Sequence, residues 1–170
     1  ARHGAVTNAD LRIVAAPDVV KMEELPVAAL RQKPGASVHV AAEIVARGEA
    51  AAYFSAGNTG ATLLASCGAF GMLDGVDRPA LATTIPTLRS EAVLLDAGAN
   101  VECRPLHLVQ FAAMGTVYAR LALGVLNPTV GLLSIGEEAT KGNDLTRDAH
   151  RLLSASKLNF IGNIEARDVY

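Results

Sequence analysis

Short apolar runs alternate with helical patterns along the whole chain. Helical spacing of apolar residues covers 38–45 and 60–70, a long helix begins at Pro105, and Asn143 caps a last helix. The apolar runs between them predict buried strands at residues 11–15, 51–55, 81–85, 93–96, 129–135 and 158–164. Strands that alternate with helices pair in parallel. The pattern therefore predicts an α/β fold with helices on both faces of a mostly parallel sheet, a three-layer α/β/α sandwich.

The composition fits one packed domain and argues against nucleic-acid binding and against a membrane-spanning segment. Of the 170 residues, 51% are hydrophobic, which is enough for a core and excludes disorder. Aromatic residues make up 4% and the net charge is -2, so we expect no nucleic-acid binding, which needs clustered Lys and Arg. No apolar run has the length of a bilayer span. We expect residues 1–170 to be a single incomplete α/β domain, cut from a longer chain that carries an initiator Met.

The cysteines and histidines do not have the spacings of a metal site. Cys67 and Cys103 lie in unrelated contexts, which indicates reduced thiols. We expect no metal ion and no cofactor. The histidines are scattered and are interpreted as solvated or helix-capping side chains: His3, His39, His107 and His150.

Candidate chemistry lies in the loops that follow the strands. Each loop combines glycine with Asn, Asp, Glu or Lys, and the carboxyl-end loops of a parallel sheet share one edge, where ligands bind. One loop, Gly57-Asn58-Thr59-Gly60, precedes a helix and presents backbone N–H groups that suit an anion. A simple capped turn, with Asn58 or Thr59 as the cap, explains the same residues equally well. The loop is neither a Walker loop nor a GxGxxG motif.

Two charged residues in later loops have both a functional and a structural interpretation. Lys141 lies directly before Gly142 and the predicted cap Asn143, where a cation opposes the helix dipole unless an anion lies between them. A solvated loop lysine is the alternative. Asp96 ends a predicted strand and either orients a ligand or ties down its own turn.

The chain lacks the motifs of an enzyme nucleophile. It contains no GxSxG elbow, and neither cysteine lies in a nucleophile motif. A reaction in which an anionic substrate is itself the nucleophile fits better. Orthophosphate already carries negative charge near neutral pH, so it needs positioning and partial desolvation more than deprotonation.

Successive motifs of the chain resemble those of the bacterial phosphate acyltransferases, the acyl-ACP:phosphate transacylases of phospholipid synthesis. The motifs occur in the same order, nearly without gaps, from about Val14 to the end. The motifs are SAGNTGA (55–61), GVDRPALA (75–82), LDAGANV (95–101), Pro105 with HLVQF (107–111) and Met114-Gly115, GLLSIGEE (131–138), TKGN (140–143) and NFIGNIEARD (159–168). The resemblance implies a fold akin to phosphotransacetylases and the isocitrate dehydrogenase group, and a homodimer. It also implies transfer of a fatty acyl group from acyl carrier protein to orthophosphate, with the acyl phosphate passed to a glycerol-3-phosphate acyltransferase.

The resemblance assigns site residues by position. Lys141 matches the family's active-site lysine. The phosphate- and substrate-binding positions are Gly57, Asn58, Thr59, Gly60, Asp96, Asn100, Gly142 and Asn143. The family chain is much longer, and it adds an opening strand and a C-terminal half with an active-site asparagine and an apolar region that contacts membrane. We therefore expect a cytoplasmic protein, peripheral at the inner face of the membrane through parts absent here.

Two alternatives stay open beside this interpretation. A phosphotransacetylase-like enzyme would perform the same chemistry with acyl-CoA as the donor. An inactive fragment would only bind anions. For the acidic carrier protein, Arg78, Arg89 and Arg104 are candidate docking residues, and ordinary solvated arginines explain them as well.

Overall fold

The structure, a computed structural model, describes residues 11–88 and 90–170, so His3 and Arg89 lie outside the described residues. It divides into two compact units, Ala1–Gly71 and Met72–Tyr170, which are described in turn. No helix within the described ranges is both long enough and apolar enough to cross a membrane. Both cysteines are free thiols, as predicted.

The described part of the first unit contains helices α1 (Pro26–Gln32), α2 (Ser37–Ala46) and α3 (Thr59–Phe70). The predicted helices at 38–45 and 60–70 are confirmed as α2 and α3, whereas α1 was not predicted. Helix α3 packs against both α1 and α2. In the described part of this unit the buried hydrophobic residues are all alanines, namely Ala29, Ala36, Ala42, Ala61 and Ala65. Small side chains let helices approach closely, which accounts for the alanine-rich composition of this segment.

The predicted strands at residues 11–15 and 51–55 are wrong. Neither segment has a strand ladder in the described structure. Ile13 is 88% exposed and Phe54 is 91% exposed, so these apolar runs are not covered by a sheet. An apolar run predicts a buried strand only if a neighbouring strand is there to pair with it, and periodicity alone does not reveal the neighbour.

The second unit contains both sheets of the described structure. Strands β1 (Ala82–Pro86) and β2 (Glu91–Leu95) form an antiparallel pair. Helix α4 (Pro105–Ala122) follows and begins at the proline that predicted it. The remaining elements are strand β3 (Val130–Leu133), helix α5 (Asp144–Ser154), strand β4 (Phe160–Ile164) and a 3-10 turn at Ala166–Val169.

The predicted α/β class is confirmed. Strands β3 and β4 are parallel and are joined through α5, which is the predicted strand–helix–strand unit. Strands β1 and β2 are antiparallel because only residues 87–90 join them, whereas a parallel connection needs a dozen residues or more. The described parallel sheet therefore has two strands and is smaller than predicted.

A small core fixes α5 against β3. Leu132 of β3 packs with Ala149 and Leu153 of α5, and all three are less than 10% exposed. Partly buried residues from α4 and from the entry into β4 surround them: Leu108, Val109, Ala112, Leu158 and Phe160. Burial of a large apolar side chain stabilises the fold by about 1.5–3 kcal/mol. This packing holds the middle and the last turn of α5 against β3.

Candidate functional site

The carboxyl end of β3 and the first turn of α5 form an open groove of about 650 Å³. The groove lies where parallel strands are expected to place a ligand site. Its lining residues are Leu133, Ser134, Ile135, Gly142, Asn143, Thr146 and Ala166. The Ser134 hydroxyl oxygen is buried and has no hydrogen-bond partner among the described residues, so the groove wall contains one unpaired polar group.

Asn143 begins α5, as predicted. Its Oδ1 accepts a hydrogen bond from Thr146 N at 3.0 Å, and Thr146 Oγ1 donates to Asn143 O at 3.0 Å. The other N–H groups of a first helical turn have no intrahelical acceptor, and the positive end of the helix dipole lies beside them. This end of the groove therefore suits a bound anion.

Gly142 allows the loop to pass close to the groove hydroxyls. Its φ is +91°, a conformation that side chains other than glycine rarely adopt. A Cβ at this position would lie 2.0 Å from Thr146 Oγ1 and 3.0 Å from Ser134 Oγ. The approach of the backbone to both hydroxyls thus depends on glycine.

Lys141 lies exposed on a turn directly before Gly142. Its backbone N–H donates to Glu138 O at 2.9 Å, and its side chain forms no hydrogen bond or ion pair with a described residue. The neighbouring Arg147 is already engaged, because it pairs with Asp144 and donates to Gly142 O at 2.7 Å. Within the described part of this loop, Lys141 is the cation whose charge is unmatched.

Asp96 follows β2 and is surrounded by hydrogen-bond donors. Its Oδ1 accepts from Leu81 N at 2.9 Å and from Ala99 N at 3.0 Å, and its Oδ2 accepts from Asn100 N at 2.7 Å and from Asn100 Nδ2 at 2.9 Å. Burial opposes the charged carboxylate, but these hydrogen bonds outweigh burial and hold the pKa of Asp96 below its ordinary value. A carboxylate accepts about four hydrogen bonds, so the acceptor capacity of Asp96 is filled.

The described contacts of Asp96 are those of a residue that ties down its own turn, the second of its two predicted interpretations. Asn100 supports the same turn, because its Nδ2 also donates to Pro79 O at 2.8 Å. No hydrogen bond between described residues joins this pair to the groove. The two residues shape the segment after β2.

The loop at residues 57–60 belongs to the first unit. Asn58 is the N-cap of α3, since its Oδ1 accepts from Ala61 N at 3.0 Å, and Thr59 is the first helical residue. Of the two predicted caps, Asn58 is confirmed. The Asn58 amide NH₂ also faces backbone carbonyl oxygens at 3.1–3.2 Å, those of Lys21, Met22 and Glu24. Asn58 therefore joins the start of α3 to the segment that leads into α1.

The two glycines of this loop have different surroundings. The Gly57 N–H donates to Ser55 Oγ at 3.3 Å, on the exposed side of the turn. A Cβ on Gly60 would lie 2.7 Å from Pro26 Cγ, so Gly60 permits the close packing of α3 on α1. By their place in the first turn, the N–H groups of Thr59 and Gly60 have no intrahelical acceptor. A capped turn and an anion-binding turn are thus compatible at this position.

The groove brings Gly142 and Asn143 together with two hydroxyl residues that the sequence pattern did not predict as site residues, Ser134 and Thr146. Lys141 directly precedes Gly142 in the chain and is not itself a lining residue. Ser134 follows the apolar run of β3. A polar residue at the carboxyl end of a buried strand is the signal that identifies it.

The histidine interpretations had different outcomes. His107 is helix-capping, as interpreted, since its Nδ1 accepts from Arg104 N at 3.1 Å at the start of α4. His150 does not cap a helix; it is partly buried, and its Nδ1 lies 2.9 Å from Asn163 Oδ1. In the sequence, Gly162 and Asn163 interrupt the apolar run at residues 158–164. Glycine inside a strand often marks a bulge, so this interruption is the sequence signal that could have drawn attention to Asn163.

Residues 4–170 match the sequence profile of a family described as fatty acid synthesis protein. Among curated relatives, the phosphate acyltransferase of Desulforamulus reducens is 51% identical over 160 residues, which are 94% of this chain and 48% of the relative. The phosphate acyltransferases of Heliobacterium modesticaldum and Desulforudis audaxviator are 51% and 52% identical, with the same coverage of both chains. The chain thus spans about half the length of the curated relatives it matches.

Proposed function

The chain belongs to the family of fatty acid synthesis proteins, and on this basis we propose that it is part of a longer acyltransferase that moves a fatty acyl group from acyl carrier protein to orthophosphate. The name of its relatives, phosphate acyltransferase, supports the chemical class. On this proposal, residues 1–170 are one portion of the enzyme's α/β domain, and the rest of the enzyme completes the site.

The observation that carries the proposal is the unmatched charge of Lys141 beside the groove. A lysine at a helix N-terminus is locally unfavourable because the helix dipole repels it. A phosphate dianion between Lys141 and the first turn of α5 removes that repulsion and accepts hydrogen bonds from both. Ser134 lines the same groove, and its buried hydroxyl has no hydrogen-bond partner among the described residues.

The proposed reaction is a direct displacement at the thioester. An oxygen of hydrogen phosphate attacks the carbonyl carbon, a C–O bond forms, and the C–S bond breaks. The sulfur leaves with the electron pair and takes the proton that hydrogen phosphate carried, so the products are the acyl phosphate and the free thiol of the carrier protein. Lys141 and the groove donors hold phosphate, and they contribute by positioning and electrostatic stabilisation.

An acyl-enzyme intermediate on cysteine is disfavoured. Burial raises the pKa of the Cys67 thiol, and burial together with the charge of Asp96 raises the pKa of the Cys103 thiol although Arg78 opposes this shift. A raised pKa lowers the thiolate fraction at neutral pH, and the thiolate is the nucleophile. Phosphate as its own nucleophile needs no such residue.

The proposal carries further expectations about the cell. The enzyme acts as a homodimer in the cytoplasm, at the inner face of the membrane. Its acyl phosphate product serves a glycerol-3-phosphate acyltransferase. Arg78 and Arg104 are candidates for docking the acidic carrier protein, and binding through them is weakened by salt.

The test is an assay of thioester loss with and without phosphate, on the complete gene product beside residues 1–170 alone. We expect phosphate-dependent loss of acyl-ACP and formation of acyl phosphate by the complete protein. Faster turnover of acyl-CoA than of acyl-ACP would instead support the phosphotransacetylase-like alternative. Thioester loss that does not depend on phosphate, or no loss from either donor, overturns the proposal. Phosphate binding by residues 1–170 without turnover identifies the fragment as anion-binding only.

A further inference from the structure

Strand β4 contains a bulge at Ile161. In the register with β3, Val130 lies opposite Phe160 and Gly131 lies opposite Gly162, so Ile161 is an extra residue without a partner. Successive side chains of a regular strand point to opposite faces. An inserted residue shifts the alternation, and the side chains that follow it change faces.

The bulge brings Phe160 and Asn163 to the same side chain on α5. Phe160 contacts the His150 ring edge-to-face with 5.2 Å between ring centroids, and Asn163 Oδ1 lies 2.9 Å from His150 Nδ1. Residues 160 and 163 would face opposite sides of a regular strand, so this shared contact depends on the extra residue. Asn163 is 6% exposed and is buried between strand and helix.

Both ends of the Asn163 amide are engaged. Its Nδ2 donates to Glu138 O at 2.9 Å. Its Oδ1 only accepts, so His150 Nδ1 must carry the proton and donate. The result is a chain of hydrogen bonds that starts at α5, passes through β4 and ends on a backbone carbonyl of the loop between β3 and α5.

That carbonyl closes the turn on which Lys141 lies. Glu138 O accepts from Lys141 N at 2.9 Å as well as from Asn163 Nδ2 at 2.9 Å. The Lys141 side chain has no anchor among the described residues, so its position follows from the backbone of this turn. Among the described residues, Asn163 donates the side-chain hydrogen bond that reaches the Glu138 carbonyl from outside the turn.

We propose that Asn163 and His150 are positioning residues for Lys141, and that they act through the Glu138 carbonyl. This inference rests on the proposed function of Lys141 in holding phosphate. It assigns a role to a buried asparagine and a histidine that lie outside the groove lining. Neither residue touches substrate on this account.

The test compares Asn163→Asp with Asn159→Asp in the complete protein. Asn163→Asp replaces the donor facing Glu138 O with a carboxylate oxygen, which repels that carbonyl. Asn159→Asp makes the same chemical change on the exposed approach to β4, where the side chain forms no described hydrogen bond. We expect Asn163→Asp to lower kcat/KM by about 10- to 100-fold, and Asn159→Asp to leave it unchanged.

A double-mutant cycle separates positioning from general destabilisation. If Asn163 acts through Lys141, then Asn163→Asp should cost less than about 2-fold once Lys141→Met is already present. An equal cost in both backgrounds overturns the inference. His150→Phe keeps the ring contact with Phe160 and loses the Nδ1–H donor, so it should also lower kcat/KM. If Asn163→Asp does not fold, the same double-mutant cycle with His150→Phe tests the inference.

A measurement that does not depend on enzyme activity distinguishes failure of this inference from failure of the proposed function. In NMR spectra, Asn163→Asp should shift the amide resonances of Glu138 and Lys141, whereas Asn159→Asp should leave them in place. Unchanged resonances overturn the inference even when the enzyme is active. If Asn163→Asp shifts these resonances but the unsubstituted complete protein does not consume thioester, the structural link is supported and the proposed function of Lys141 is contradicted.

Discussion

Asn100 donates two hydrogen bonds to one oxygen of Asp96, from its backbone N at 2.7 Å and from its side-chain Nδ2 at 2.9 Å. The other carboxylate oxygen accepts from Leu81 and Ala99. The segment after β2 is therefore closed around one negative charge. The charge, and not only the shape of the side chain, holds this turn together.

Replacing Asp96 by Asn should destabilise the protein. The new NH₂ group faces donors, so at least two hydrogen bonds are lost from a half-buried position. We expect the free energy of unfolding to fall by about 1–3 kcal/mol, measured by urea denaturation. Asp74→Asn is the control, because Asp74 is exposed and its side chain has no described partner. A similar loss in both variants would contradict the role of the Asp96 charge.

The stabilisation by Asp96 should depend on pH. Its pKa lies below the ordinary value of 3.8 in the folded state, so the folded protein binds fewer protons here than the unfolded chain. The stabilisation is therefore complete above pH 3.8 and is lost as the pH falls through the lowered pKa. The difference in unfolding free energy between the unsubstituted protein and Asp96→Asn should be constant from about pH 7 to about pH 5, and it should shrink as the pH falls from about 4.5 to about 2.5. A difference that stays constant over this lower range is the opposing result.

Asn58 and Asn143 are both N-caps, and Asn-to-Asp substitutions separate their roles. Aspartate caps a helix as well as asparagine, so Asn143→Asp should change the unfolding free energy by less than about 0.5 kcal/mol. Asn58→Asp turns a carboxylate toward the carbonyl oxygens of residues 21, 22 and 24. We expect it to cost about 2–4 kcal/mol in urea denaturation. Equal effects would mean that capping alone explains Asn58.

Gly142→Ala should destabilise the protein more than Gly124→Ala. Both glycines have positive φ, at +91° and +69°, but a Cβ on Gly124 meets no atom within 4 Å, whereas one on Gly142 meets Thr146 Oγ1. Thermal unfolding should show a loss of about 2–4 kcal/mol for Gly142→Ala and about 1 kcal/mol for Gly124→Ala. Adding Thr146→Ala should restore part of the loss at Gly142, and an additive double variant would rule out the collision.

Lys141→Met should lower the rate of phosphate-dependent thioester loss by about 100-fold or more, because it removes the unmatched cation beside the groove. The matched control is Lys157→Met, which removes an exposed lysine without described partners from the segment between α5 and β4. The assay of the complete protein measures both variants. Equal rates for Lys141→Met and the unsubstituted protein would falsify the assignment of Lys141.

Local signals predict the starts of α4 and α5, whereas α1, which also begins with a proline, was not predicted. Pro105 suits the first position of a helix, and Asn143 suits the cap, and both signals act within one turn of the chain. The hairpin β1–β2 also has a local cause, the short connection at residues 87–90, which the expectation of a mostly parallel sheet did not take into account.

Contacts between distant residues could not be read from the pattern. The cap role of Asn58 is local, whereas its bonds to Lys21, Met22 and Glu24 cross 34–37 residues of chain. The bond from Leu81 to Asp96 crosses 15 residues, and the sequence pattern does not predict it. The roles of Ser134 and Asn163 could not be predicted from the sequence, because they depend on the groove and on the helix that lie beside these residues in the fold.

The extra residue at Ile161 has a consequence for how this segment tolerates change. The number of residues that precede Asn163 in β4 sets the face of the strand on which its side chain lies. Deletion of one of these residues therefore turns the Asn163 amide away from α5. Most substitutions of Ile161, which is 58% exposed, leave the direction of the Asn163 side chain intact. A scan of single substitutions at Ile161 will therefore show little effect. The importance of this position becomes visible only when the length of the strand is varied by a single codon.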